Sequence, residues 1–450
     1  MALSIKFIGA TGMVTGSSYL VTTAQSKFLV DCGLYQGGDA ADRKNYQPFP
    51  YHPKELDFVI STHSHLDHCG LIPKLVRNGF RGKIYSTPST RELAEALLTD
   101  AAHIQEHGAT EKQIETLFIK ADVDQALSQF ETHAYNQTFI SGNIKICFQD
   151  AGHILGSAIT EIWVEDKKLV FSGDLGNSPV PIMRDPTPIA EADYVICEST
   201  YGDRLHEPPT NREKKLLAAI RYAKQHHAKL IIPAFALERS QDLLYTLNLF
   251  RNTNQIPKIP IILDSPLAIK VTKIYKKYTK LFDETFQQYL KTDQDLFDFP
   301  GFSQTNTVEE SKTINDLSGE AVIIAGSGMA DGGRVQHHLL HQLGRPENQV
   351  LFVGFCTPGT LGRKLISGAT RVRIRDKSVS VRAKISSLNA FSAHADQKGL
   401  LAWLSGFNTN PTVILTHGED LARQTLQGKV TRQLKRQVIV PKAGQIVKLN

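Results

Sequence analysis

Thr62-His63-Ser64-His65-Leu66-Asp67-His68 places three imidazoles and a carboxylate within six residues, directly after the apolar run Leu56-Asp57-Phe58-Val59-Ile60. The run reads as a short buried strand. A strand entering a loop there lets His63 and His65 project to one side, and Asp67 and His68 follow where the chain turns into a helix-like segment at 70–76. Imidazole is costly to bury without a partner, and three of them beside an acid are hard to explain as core packing. The same groups are ordinary ligands for one or two metal ions.

Outward from this stretch, further apolar runs end in candidate ligands or acids. Phe28-Leu29-Val30 ends at Asp31, 144–148 leads to Gly152-His153, 168–171 leads to Ser172-Gly173-Asp174, and 194–197 leads to Glu198. Polar groups delivered to strand ends are how layered α/β folds build a site on rigid elements with its mouth in loops. The candidate ligands are His63, His65, Asp67, His68, His153, Asp174 and His417. Such a set suits two Zn2+ ions, each keeping an open position for water, and a carboxylate can bridge two cations where an imidazole cannot, so Asp174 is the bridging candidate. The chemistry expected of such a pair is attack by hydroxide on an ester or amide, with the charge on a displaced phosphate oxygen stabilised.

The chain has 450 residues, enough for two or three domains, with 41% apolar and 21% charged residues, as in a soluble globular enzyme. Its net charge of +6 is compatible with a polyanionic partner without establishing one. The five cysteines are odd in number and contain no Cys-x-x-Cys pair, which points to packed thiols in a reducing compartment. No basic leader opens the chain and no apolar run reaches membrane-spanning length, so a cytoplasmic protein without membrane contact is expected. Early segments at 4–9 and 18–21 alternate as strands, and 89–127 is mostly helical by spacing. After about residue 205, helices at 214–227, 239–250 and 335–343 alternate with strands at 229–232, 260–264, 321–325 and 349–353, which implies a parallel sheet of doubly wound type. Strands return at 372–374 and 379–385, followed by a helix at 397–405.

The His-x-His-x-Asp-His pattern with the later Gly152-His153 and Ser172-Gly173-Asp174 resembles the metallo-β-lactamase fold family. Glu198 in Glu-Ser-Thr-Tyr-Gly, His394 in Phe391-Ser392-Ala393-His394-Ala395-Asp396, and His417 in Thr416-His417-Gly418-Glu419 are similar to the motifs of its β-CASP nucleases. Pro233 to Arg239, Asp264 to Ala268 and Gly326-Ser327-Gly328-Met329 resemble that group's inserted domain. Within the group the chain is similar to the endonuclease subunit of the pre-messenger RNA 3′-end cleavage machinery and its prokaryotic relatives. The resemblance implies an α/β protein: an αββα sandwich formed by 1–205 and 373–450, carrying an inserted β-CASP domain, a mostly parallel sheet flanked by helices, at 206–372.

It further implies a zinc-dependent ribonuclease acting on single-stranded RNA through a hydroxide activated by two metals, and leaves room for a homodimer. His63, His65, His153 and Asp174 are assigned to one zinc, and Asp67, His68, Asp174 and His417 to the other. Asp31 supports the ligand loop from behind. Asp67, Glu198 and His394 are the implied catalytic residues, with His394 protonating the leaving ribose oxygen and Glu198 holding its imidazole. Ser327, Gly328 and Met329 could cradle a substrate phosphate with backbone N–H groups, and Arg239 and Arg334 are further phosphate-clamp candidates. His337, His338 and His341 lack a nearby acid, and Cys69 reads as a packed thiol. Arg371, Arg373 and Arg375 on one strand, and Lys273, Lys276, Lys277 and Lys280 on one helix, read as solvated faces; their functional alternative is an RNA backbone track. Two other functions stay open: a DNA-directed nuclease of the same fold, and a non-catalytic RNA-binding subunit.

Overall fold

The computed structural model describes residues 3–450 apart from 113–114, 208, 355, 358 and 389–391. It divides into two units, one of Met1–Ser178, Met183–Leu205 and Ala393–Asn450, the other of Pro179–Ile182 and His206–Ser392.

In the first unit each short strand sends alternate apolar side chains into different cores, and this alternation sets the layering. Phe58 and Ile60 pack with Phe7 and Phe28 of their own sheet and with Phe148, Ile162, Phe171, Ile196 and Ile414 of a second sheet. Val59, one residue out of phase, joins Leu29 and Ile84 against the helical residues Ile72, Leu75, Leu98 and Val123. On the far side, Val195, Cys197, Val413 and Leu415 face Leu400, Leu404 and Leu426 of the helices Gln397–Ser405 and Asp420–Lys429. Two seven-stranded sheets, each covered by helices, make the expected αββα sandwich. Side chains such as Ile196 and Ile414, at most 2% exposed, contribute roughly 1.5–3 kcal/mol each.

Strand direction positions the site. Lys167–Phe171, Tyr194–Glu198 and Thr412–Thr416 run parallel, with Phe171 opposite Ile196 and Glu198 opposite Thr416. Parallel strands end on the same edge. Asp174, Glu198 and His417 therefore emerge together. In the other sheet Lys27–Val30 runs parallel to Phe58–Ile60 with Val30 opposite Ile60, which brings Asp31 beside the histidine loop.

The second unit is built on a six-stranded parallel sheet whose order is Phe302–Gln304, Ile261–Asp264, Ala321–Ala325, Lys229–Pro233, Gln349–Phe352 and Lys384–Ser387. Ile231, Ile262, Ile323 and Val350 pack against Val335, Leu339, Leu361 and Leu365 of flanking helices. The single strand expected at 379–385 is in fact two. Lys377–Ser380 closes a hairpin with Arg371–Ile374, whereas Lys384–Ser387 pairs with Gln349–Phe352. That last pairing binds the stretch after 372 to the second unit, so the units change over at Ser392–Ala393 rather than at the expected 372/373.

Polar burial in this unit redirects two expectations. Asp264, fully buried, accepts from Arg334 Nη1 at 2.7 Å, His338 Nε2 at 2.6 Å, Thr305 Oγ1 at 2.5 Å and Ser311 Oγ at 2.7 Å. Arg334, expected as a phosphate clamp, spends its guanidinium on this carboxylate and on the carbonyls of Thr305 and Asn306. Arg239, the other expected clamp, is 7% exposed and lies 3.2 Å from Glu238 and 3.4 Å from Asp242. A cation drawn wholly or partly out of water needs such partners, and each arginine has found them inside the fold. His338 is explained by the same network, and the metal-competent groupings among the described residues do not include His337, His338 or His341. Helix Pro266–Lys277 buries Ile269, Thr272 and Tyr275 and leaves Lys273, Lys276 and Lys277 exposed, as a solvated face should. All five cysteines are free and buried, and Cys69 donates to the Ser64 carbonyl. No helix among the described residues is long and apolar enough to cross a membrane.

Candidate metal centre

His63, His65 and His153 bring one nitrogen each to within 3.2 Å of a neighbour: His63 Nε2 and His153 Nε2 both lie at that distance from His65 Nδ1. Asp174 Oδ2 closes the group at 3.5 Å from His63 Nε2 and 3.5 Å from His153 Nε2. A second group gathers Asp67, His68 and His417, with His68 Nε2 3.2 Å from His417 Nε2 and Asp67 Oδ2 3.3 Å from His417 Nε2. Asp174 reaches this group with its other oxygen, Oδ1, 3.3 Å from His68 Nε2.

These spacings test whether metal ions fit. Donors ~2.0–2.1 Å from a tetrahedral cation stand roughly 3.3–3.4 Å apart, the separation found here. Neither carboxylate oxygen of Asp174 has a hydrogen-bond partner, although the residue is 1% exposed and imidazoles of five histidines approach within 3.8 Å. Unsatisfied oxygens in a buried site are expensive unless a cation takes their lone pairs. Burial pushes His63 and His153 well below the ordinary histidine range and His65 down to about 4, which keeps these rings in the neutral form that binds metal. The donor set fits metal ions.

Hydrogen bonds behind the cluster decide which nitrogen faces it. Asp31 accepts from the Thr62 amide at 2.8 Å and from Thr62 Oγ1 at 2.9 Å, and takes the Nδ1 proton of His68 at 2.7 Å. With its hydroxyl proton on Asp31, Thr62 Oγ1 can only accept from His63 Nδ1, 3.1 Å away. Both rings thereby turn Nε2 toward the cluster, where a bound metal would displace the second proton that His68 otherwise carries. Burial of His68 opposes its charge, but the Asp174 and Asp31 carboxylates outweigh that and hold it well above the usual range.

The same device recurs on the opposite side through a residue the sequence did not single out. Thr200 Oγ1 donates to Glu198 Oε2 at 2.6 Å and lies 3.0 Å from His417 Nδ1, so His417 too presents Nε2. Thr200 stands inside the Glu-Ser-Thr-Tyr-Gly motif, yet a hydroxyl two residues past an acid carries no distinctive signal. Glu198 is 1% exposed, which excludes a surface pairing; its Oε1 accepts from the Leu175 amide at 2.7 Å and stands 3.2 Å from His394 Nδ1. Burial alone would lower the His394 value, but Glu198 and Asp174 outweigh it and raise the imidazole to about 9. Of the motif carrying His394, Phe391 lies outside the described residues.

Comparison with known proteins agrees with this geometry. Residues 11–234 match the metallo-β-lactamase superfamily, 240–365 the Beta-Casp domain, and 378–441 the Zn-dependent metallo-hydrolase RNA specificity domain. The chain is 39% identical over 412 residues to Ribonuclease TTHA0252 of Thermus thermophilus, covering 92% of each chain. It is 29% identical to Transcription termination factor FttA of Methanocaldococcus jannaschii, over 98% of this chain and 70% of the relative. It is 27% identical to Cleavage and polyadenylation specificity factor 73 of Drosophila melanogaster, over 96% of this chain and 62% of the relative. A crystal structure of a protein of unknown function from Enterococcus faecalis V583 shares the fold, with a TM-score of 0.56 at 12% identity over 99% of this chain and all of the other. Strand ends, buried imidazoles and sequence kinship converge on one conclusion: the chain belongs to the β-CASP ribonuclease family of the metallo-β-lactamase superfamily and is a metal-dependent hydrolase.

Proposed function

We propose that the chain is a zinc-dependent ribonuclease that hydrolyses phosphodiester bonds of single-stranded RNA. The observation that supports this most is Asp174, whose two buried, unpartnered oxygens face two separate groups of imidazoles. His63, His65, His153 and Asp174 would hold one zinc, and Asp67, His68, Asp174 and His417 the other. Metal ions held by these residues would acidify water at neutral pH and offer positive charge to the phosphate oxygens.

The remaining steps fall to the protein. Asp31 and Thr62 fix the donor nitrogens of His68 and His63, so neither of these two rings has to turn during the reaction. Glu198 holds His394 through Nδ1, and Nε2 is the nitrogen that would carry the proton the departing ribose oxygen needs. In the second unit, the amides of Gly328 and Met329 donate to no group among the described residues, and they are the candidates for cradling a phosphate together with Ser327. Arg239 and Arg334 already have acidic partners inside the fold, which favours the amides over these guanidiniums for that role.

The deciding experiment is incubation of the zinc-loaded protein with RNA labelled at the 5′ or 3′ end, alongside DNA of the same sequence. Cleavage of RNA alone, lost on chelation and restored by zinc at two equivalents per chain, is the expected result. Cleavage of DNA at an equal rate, or RNA cleavage that survives full metal removal, contradicts it.

Salt dependence should report the basic hairpin. Arg371 and Arg373 stand on its exposed face opposite Ser380 and Ser378, Arg375 lies in the turn, and none of the three has an acidic partner among the described residues. If they follow the RNA backbone, replacing all three by Gln should flatten the slope of log affinity against log salt by about two, at roughly 0.7 for each single-strand phosphate contact. An unchanged slope assigns them to a merely solvated face.

A further inference from the structure

From Ala228 to Asn248 every side chain is buried except two neighbours, the half-buried Ala236 and the exposed Phe235. Phe235 is 41% exposed although it follows a fully buried strand and precedes a nearly fully buried helix. Single exposed apolar residues are common and by themselves mean little. This one is held unusually firmly. The Phe235 carbonyl accepts from Ser240 Oγ at 2.7 Å and from the Ser240 amide at 3.3 Å, the Ala236 carbonyl accepts from Gln241 at 3.1 Å, and the Ala234 amide donates to Ala325 at 3.0 Å. The ring lies against the backbone of Gly328. A side chain begun at Gly328 would meet three of its carbons at 2.6, 2.7 and 3.0 Å, and one begun at Gly354 would meet it at 3.7 Å. Glycine at 328 thus makes room for the aromatic ring, which sits at the start of the Gly328-Met329 turn whose two amides have no partner among the described residues.

We propose that Phe235 is a stacking platform for a nucleobase of single-stranded RNA, whose adjoining phosphate is taken by the neighbouring glycine turn. This rests on the ribonuclease reading above and adds a subsite to it. An aromatic ring with one face packed on backbone and the other toward solvent offers a base a flat, apolar surface at little entropic cost. Every nucleobase has such a face, so the subsite grips RNA without selecting sequence. Phosphate capture by backbone amides beside it fixes the strand's register, since a base and its phosphate are joined by one sugar.

The test uses steady-state kinetics of the zinc-loaded protein on a short single-stranded RNA. Phe235→Ala should raise KM by about tenfold to a hundredfold with kcat nearly unchanged, while Phe235→Trp should stay close to the parent protein. Gly328→Ala, which displaces the ring without removing it, should also raise KM. A series of substrates, each with one abasic ribose, supplies the second readout. One position should cost the parent protein the same factor, and that penalty should vanish in Phe235→Ala. A parental KM in Phe235→Ala, or an abasic penalty equal in both proteins, overturns the proposal while leaving the ribonuclease reading intact. If the parent protein cleaves no RNA, the ribonuclease reading falls first.

Discussion

Asp174→Ala is expected to abolish RNA hydrolysis, by at least about a thousandfold, the scale set by losing a preorganised electrostatic contact in an active site. The argument is one of shared donors. One oxygen of Asp174 stands with His63 and His153, the other with His68, and neither is satisfied by any protein group. Alanine removes both at once, so both groups lose their only common member. The first group is left with three imidazoles and no carboxylate, and the second keeps only Asp67, with Asp31 behind His68, to balance its histidines. Metal content by atomic spectroscopy should fall with activity, while circular dichroism stays unchanged because the surrounding sheets keep their apolar contacts. Asp174→Asn should be nearly as inactive, since its NH2 group presents donors to nitrogens that must themselves be donors to metal. Parental cleavage by purified Asp174→Ala would refute the centre as described.

Why this centre was legible in the sequence, and other features were not, follows from distance along the chain. His63 to His68 are contiguous, and the other candidate ligands each follow an apolar run, so the alternation that marks a strand also marks where its end delivers a polar group. Parallel pairing does the rest, because it brings the ends of three such strands together whatever lies between them. The partners of Asp264 carry no such mark. They come from positions 305, 311, 334 and 338, and only folding shows that Arg334 is drawn into the sheet edge rather than left for a phosphate. Thr200 is similarly silent, since its role depends on where its single proton goes. The boundary near 372 misleads for a different reason: the run 379–385 has continuous strand propensity, but it is broken between a hairpin and a sheet by pairings that local pattern does not encode.

His394→Ala should lower kcat by roughly a hundredfold to ten-thousandfold, the range for loss of a positioned general acid, and leave the metal content of the protein unchanged. His394 Nδ1 is 3.8 Å from Asp174 but 3.2 Å from Glu198, and the Glu198 carboxylate is itself anchored by the Leu175 amide and Thr200. The imidazole therefore belongs to the carboxylate behind it more than to the metal cluster beside it. If its task is to give a proton to the leaving oxygen, the defect should depend on how badly that oxygen needs one. A substrate with an aryloxide leaving group, stable without protonation, should be cleaved by His394→Ala at close to the parental rate, while RNA is not. Glu198→Gln should reproduce part of the RNA defect, and in the His394→Ala background it should add little, because the two act as one unit. Loss of metal from His394→Ala would instead make the residue a ligand. An equal defect on both substrates would show that it positions the phosphate rather than protonates the leaving group.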